Sequence, residues 1–190
     1  MNKLIVFLVV IFILNEANGQ KKIYSNAVRF IYNSDFLKND SVLNNKGEYD
    51  IYVSPEIIPF NLNSVESSIL RLDYIDNYNE FANYSQEQEK IIKKVNDSLM
   101  VTEKLLNKSF QNKISENLNK LTTGENIKYV LFFSNIVNNR LYAEVVPYDS
   151  LAFKDFKRET VSFGKVYSYL FVISNKGKFL TVYTGESFHN

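Results

Sequence analysis

Residues 118–148 read LNKLTTGENIKYVLFFSNIVNNRLYAEVVPY, and the fold turns on the change of rhythm inside this stretch. Leu118 and Leu121 close a run of apolar residues at helical spacing, and Gly124, which suits the left-handed position after a helix, follows them. From Tyr129 to Val137, and again from Leu141 to Tyr148, aromatic and β-branched residues take over. Between the two runs stand Asn138, Asn139 and Arg140, where two asparagines tolerate the positive φ of a type I′ turn, so the spacing predicts a β-hairpin.

Working outward towards the C-terminus, Val166 to Ser174 and Lys178 to Thr184 flank Asn175-Lys176-Gly177, with Gly177 placed for the left-handed residue of a bulged hairpin loop. Tyr167, Tyr169, Phe171 and Ile173 share one face of the first of these strands, and Leu170 and Val172 lie on the other. Large apolar groups on both sides imply that its middle is covered on both sides.

Working outward towards the N-terminus, Ser85-Gln86-Glu87-Gln88 forms a capping box, in which the Ser85 hydroxyl accepts from the third backbone N–H and Gln88 reaches back. Ile92, Val95, Leu99, Leu106, Phe110 and Ile114 then recur at helical intervals up to Leu118 and Leu121. One rod from Gln86 to Leu121 would measure about 54 Å, longer than the roughly 40 Å span of a domain this size. A break is therefore expected at Asn107-Lys108-Ser109, where Asn can end one helix and Ser can cap another. Earlier still, Ser25 to Leu37 reads as a short helix, Lys38 to Gly47 as a loop, and Glu48 to Ser54 as a half-buried strand that stops or becomes an edge at Pro55 and Pro59. Asn63 to Tyr78 fits either element. Asn63 and Glu66 could cap a helix, while Leu70, Leu72 and Tyr74 alternate like a strand.

Helix-period sequence thus precedes strand-period sequence, which excludes a doubly wound parallel sheet. The expected fold is α+β: an antiparallel sheet built mainly from two C-terminal hairpins, packed by a long, broken amphipathic helical region. This element order is similar to that of cystatin-like and nuclear-transport-factor-like domains. No motif accompanies the similarity, and no site residue is carried over from it.

The first nineteen residues read as an address. Lys3 supplies a short positive region, Leu4 to Leu14 is an unbroken apolar run, and Ala17-Asn18-Gly19 places small residues where a signal peptidase reads. That run falls well short of the ~20 residues needed to span a membrane. The expected organisation is a signal peptide over 1–19, cleaved after Gly19, and a single α+β domain over 20–190, secreted or periplasmic. No later segment predicts a membrane span.

Composition narrows the chemistry. The chain holds no cysteine and one histidine, His189, next to the C-terminus. A disulfide, a thiol nucleophile and a cysteine-ligated metal are excluded, and a histidine triad or multi-histidine site would depend on a terminal residue. A formal net charge of +1 gives no footprint for nucleic acid. Six glycines, none in a phosphate-cradling pattern, argue against nucleotide binding. Asp73, Asp76 and Glu80 with Asn77 and Asn79 form the densest acidic cluster, yet they lack the spacing of a calcium loop and read as a solvated turn. No catalytic residue, cofactor or metal is expected.

Thirteen tyrosines and fifteen phenylalanines are the one marked excess. They serve as core filler, or line a surface for a peptide or glycan. The segment Asp149 to Thr160 joins the two hairpins and alternates phenylalanine with charge. Its expected anchors are Tyr148, Phe153 and Phe156, with Arg158 in a basic rim that favours a carboxylate-bearing partner; the competing reading tucks both phenylalanines into the core. The functional expectation is an exported, non-catalytic binding or interaction module for an unknown protein, peptide or glycan. The alternatives are a small secreted enzyme using carboxylate or tyrosine chemistry in a sheet-helix pocket, and an envelope structural protein.

Overall fold

A computed structural model of the chain describes residues 19–38, 49–111, 115, 117–148 and 164–189. The apolar run of the leader, the segment 39–48 and the segment 149–163 lie outside the described residues.

Helix α1 occupies residues 19–32, beginning earlier than the Ser25 read from sequence. Tyr24, Ala27, Val28 and Ile31 recur at helical spacing and are all buried, which fixes its inner face. It ends where Asn33 donates its side-chain amide to the Arg29 carbonyl (2.8 Å) and the Ser34 hydroxyl takes the Ile31 carbonyl (2.8 Å), since side chains that bond nearby backbone offer an alternative to the next helical turn. A single turn, α2 (Asp35–Lys38), follows.

Strand β1 (Asp50–Ile57) runs through Pro55 at the edge of the sheet, the second of the two outcomes expected there. Pro55 is tolerated because β1 is an edge strand and its register shifts between Val53 and Ile57. That outer edge is closed from outside the sheet. The N–H groups of Ile51 and Val53 donate to the Thr123 and Thr122 hydroxyls (2.9 and 3.1 Å), and the Pro55 carbonyl accepts from the Ser115 N–H (2.7 Å).

The segment that sequence left open is helical: a 3₁₀ turn over Leu62–Val65 leads into α3 (Glu66–Asp73). Ile69 and Leu70 are buried while Leu72 and Tyr74 are exposed, so the alternation at 70, 72 and 74 is not used. Helix α4 (Gln86–Asn107) starts at the complete Ser85 capping box. It stops because the Asn107 amide pairs with the backbone of Phe60 in both directions, each bond 2.8 Å. The described chain beyond it is irregular apart from a 3₁₀ turn at Asn119–Leu121. Among the described residues no unbroken helix runs from Gln86 to Leu121, and α4 rests on α3 and the 62–65 turn.

Strands β2 (Ile127–Phe133), β3 (Arg140–Pro147), β4 (Gly164–Ile173) and β5 (Phe179–His189) complete a five-stranded sheet in the order β1-β2-β3-β4-β5. The class is α+β and the sheet is mostly antiparallel. It is mixed, because β1 pairs parallel with β2 (Ile51 with Tyr129, Val53 with Leu131). Asn138 and Asn139 hold positive φ between β2 and β3, and Gly177 does so between β4 and β5. His189 belongs to β5, in register with Gly164.

Both faces of the sheet are buried. Tyr129, Leu131, Phe133, Tyr167, Tyr169 and Phe171 join the inner face of α1 in one cluster. Val130, Phe132, Tyr142, Val166 and Leu170 meet the 62–65 turn, α3 and α4 in the other. Many tyrosines and phenylalanines are thus core: Tyr24 stands edge-on to Phe133 at 5.2 Å, and Tyr49 to Tyr129 at 5.5 Å.

Candidate functional site

Helix α1 lies across one face of the sheet and leaves the β5 margin open. Its inner end is pinned by Tyr24, whose hydroxyl donates to the Ser134 carbonyl at 3.0 Å, with burial pushing the phenol up to about 12. Phe30, one turn beyond Ala27, leans towards β5 with its ring edge-on to Phe171 (5.6 Å) and Phe179 (6.5 Å); Phe179 packs on Phe171 at 4.7 Å. Between helix and strand a groove of about 880 Å³ remains. Phe30 and Phe179 form its floor. Asn26, Arg29 and Asp35 on the helical side and Lys178 and Thr184 on the strand side form its rim. Phe30 is 41% exposed, an apolar ring held at the surface by its own contacts. Among the described residues Arg29, Asp35 and Lys178 have no ion-pair partner. An apolar floor with unspent polar groups at its margin suits capture of a ligand that carries a flat or aliphatic group beside hydrogen-bonding groups.

A second cluster sits beneath the opposite face. Tyr142 and Glu144, two apart on β3, point the same way into the core, at 0% and 3% exposure. The Tyr142 hydroxyl donates to Glu144 Oε1 at 2.8 Å. Its one proton is thereby spent, so the Ser168 hydroxyl (3.1 Å) donates to the phenol oxygen, while the Ser64 hydroxyl lies 2.9 Å from it and gives its own proton to the Asn61 carbonyl (2.7 Å). Burial, and then the Glu144 carboxylate, hold the phenol well above its usual range. The cluster ties the 62–65 turn to the sheet. Neither residue lines the groove, and neither reaches solvent.

Of the residues marked from sequence, Tyr148 lies just past β3. Its N–H donates to the Lys128 carbonyl at 2.7 Å, and its ring is half-buried against the second cluster. Phe153, Phe156 and Arg158 lie outside the described residues. In the acidic segment, Asp73 accepts from the Tyr183 hydroxyl at 2.6 Å, and among the described residues no three acidic or histidine side chains gather as metal ligands. Among the described residues no helix is long and apolar enough to cross a membrane.

Sequence reading missed the groove. Phe30 is the aromatic that falls off the Val28, Ile31 stripe of its helix, which is the local signal for a ring not needed in the core. Its partner Phe179 lies on the far strand, and no local pattern joins the two. No family model matches the chain, and no curated protein or solved structure matches it.

Proposed function

We propose that the chain is an exported, non-catalytic binding or interaction module, cut after Gly19, whose ligand is a protein segment, peptide or glycan. The observation that carries this reading is the α1–β5 groove, with its Phe30 and Phe179 floor and with Arg29 and Lys178 in no ion pair among the described residues. Rings held rigid by neighbouring rings give contact area at small entropic cost. Tyr148 with Phe153, Phe156 and Arg158 is a second proposed contact.

The test displays residues 20–190, and the Arg29→Ala and Phe30→Ser variants, to peptide and glycan arrays. Retention of a defined set of probes, reduced in both variants while their melting stays near that of the parent chain, supports the reading. No retained probe, or equal retention by the variants, overturns it.

The alternative of a small enzyme draws on the Tyr142–Glu144 cluster alone. A general acid must reach its substrate, and a phenol raised by burial and sealed under a turn is poorly suited to give up its proton near neutral pH.

A further inference from the structure

The solvent face of α4 carries a second surface, independent of the groove. At about 100° per residue, Lys90, Lys93, Lys94, Lys104 and Lys108 fall within one sector of about 140°. All five are exposed, and among the described residues none is held in an ion pair. Glu87 and Asp97 are the acids of the same sector, so the face is net positive on a chain whose formal charge is only +1. An exposed lysine row is ordinary on a helix. The departure is what stands within it: Met100, Val101 and Leu105 are 64%, 61% and 62% exposed, while the buried side of the helix is supplied by Val95 and Leu106 with Ile92 and Leu99 beside them. The apolar side chains are surplus to the core and flanked by cations along about 27 Å of helix.

We propose that this face of α4 docks the protein on an anionic phospholipid bilayer, lying in the plane of the interface. The lysine ammonium groups sit at the level of the headgroup phosphates, and Met100, Val101 and Leu105 enter the boundary with the acyl chains. Each lysine near an anionic surface contributes about a fivefold gain in partitioning, and apolar insertion adds to it. Charge complementarity selects an anionic occupant. The apolar residues select a bilayer over nucleic acid, since a phosphate backbone offers them nothing to enter.

The test is co-sedimentation of residues 20–190 with vesicles of phosphatidylcholine alone and of phosphatidylcholine mixed with phosphatidylglycerol. The expected result is partitioning onto the mixed vesicles, little onto the neutral ones, and release at high salt. Reversing Lys93 and Lys104 together (Lys93→Glu, Lys104→Glu) should weaken it by at least about 25-fold, the loss of two lysines alone at about fivefold each, with the added carboxylates repelling the surface further. Met100→Ser with Val101→Ser, at exposed positions that leave the fold intact, should weaken it at unchanged melting temperature. Reversal of Lys21 and Lys22, exposed on α1, is the matched control and should have little effect. Absence of binding to the mixed vesicles, equal binding to neutral ones, equal loss in the control pair, or tighter binding to duplex DNA than to vesicles each overturns the proposal.

Discussion

Gly185→Ala is the sharpest probe of how the sheet meets its helical cover. Gly185 pairs with Ser168 across β5 and β4, and the 62–65 turn lies directly over it. A Cβ at this position would overlap the Ser64 carbonyl oxygen and stand 2.7 Å from its carbonyl carbon and 3.2 Å from Val65 Cα. These are backbone atoms, so no rotamer change relieves the clash. Restoring contact at about 3.5 Å requires the turn to lift by roughly 2 Å. That movement disengages Leu62 and Val65, both buried, and pulls the Ser64 and Tyr142 hydroxyls, 2.9 Å apart, out of contact. Overpacking costs about 1–3 kcal/mol, and loosening a buried hydrogen bond about 1–3 more. The smaller freedom of the unfolded chain returns less than about 1 kcal/mol. The expected net loss is about 3 kcal/mol, or roughly 6–12 °C in melting temperature for a domain of this size. Urea midpoints and thermal melts of residues 20–190 measure it. Gly177→Ala is the comparison: its Cβ meets only Ile23 at 3.7 Å, but the residue sits at φ +73°, so its cost is about 1–2 kcal/mol of backbone strain. If Gly185→Ala melted with the parent chain, or above Gly177→Ala, the close approach of turn and strand would be wrong.

Tyr142→Phe should destabilise by about 1–3 kcal/mol by removing the proton that Glu144 accepts, whereas Glu144→Gln keeps an acceptor for that proton and should cost less; urea unfolding ranks the two. The phenols of Tyr24 and Tyr169, raised to about 12 chiefly by burial, make the folded state hold protons that the unfolded state releases near pH 10. Stability is therefore intact below about pH 10 and falls from there towards pH 12, by up to about 2.7 kcal/mol per group at about 1.36 kcal/mol per unit; a midpoint unchanged across that window would contradict the burial of both rings. For the segment joining β3 and β4, core packing of Phe153 predicts a loss of about 3 kcal/mol in Phe153→Ala and little in Arg158→Ala, whereas a binding loop predicts near-parent melting in both with lost capture of array probes. A large melting drop for Phe153→Ala removes that loop from the proposed binding surface.

What the sequence disclosed was local. The change from helical to strand rhythm between Leu121 and Tyr129 carries the α+β class and the mostly antiparallel sheet, because period is a property of neighbours. The parallel pairing of β1 with β2 was not legible, since a strand with the alternation of Ile51 and Val53 suits either direction until the long connection between the two strands is placed. The end of α4 at Asn107 fell where a break was expected, but its cause is a pair of bonds to Phe60, 47 residues away. Glu144 would read as a solvent-facing residue of β3. It is buried because its carboxylate, Ser64 and Ser168 converge on the Tyr142 hydroxyl, and that convergence is tertiary.

Among the described residues, the separation of the Tyr142–Glu144 cluster from the α1–β5 groove is what favours the proposed binding reading over the enzyme alternative. Chemistry needs a substrate and a tuned proton at one place. Here Tyr142, a phenol that burial holds well above its usual range, is locked between a carboxylate and two serines under the 62–65 turn, while the α1–β5 groove is lined by Phe30 and Phe179 and carries its charge on Arg29, Asp35 and Lys178. Opening the sealed cluster would mean lifting the same turn that Gly185 allows to sit on β5, at a stability cost of the order reckoned for Gly185→Ala. The groove already reaches solvent, since Phe30 stands 41% exposed at its lining beside Arg29. A ligand arriving from solvent therefore meets rings and rim charges long before it could meet Tyr142, and the variants that matter for capture, at Arg29 and Phe30, are ones the buried cluster should not feel.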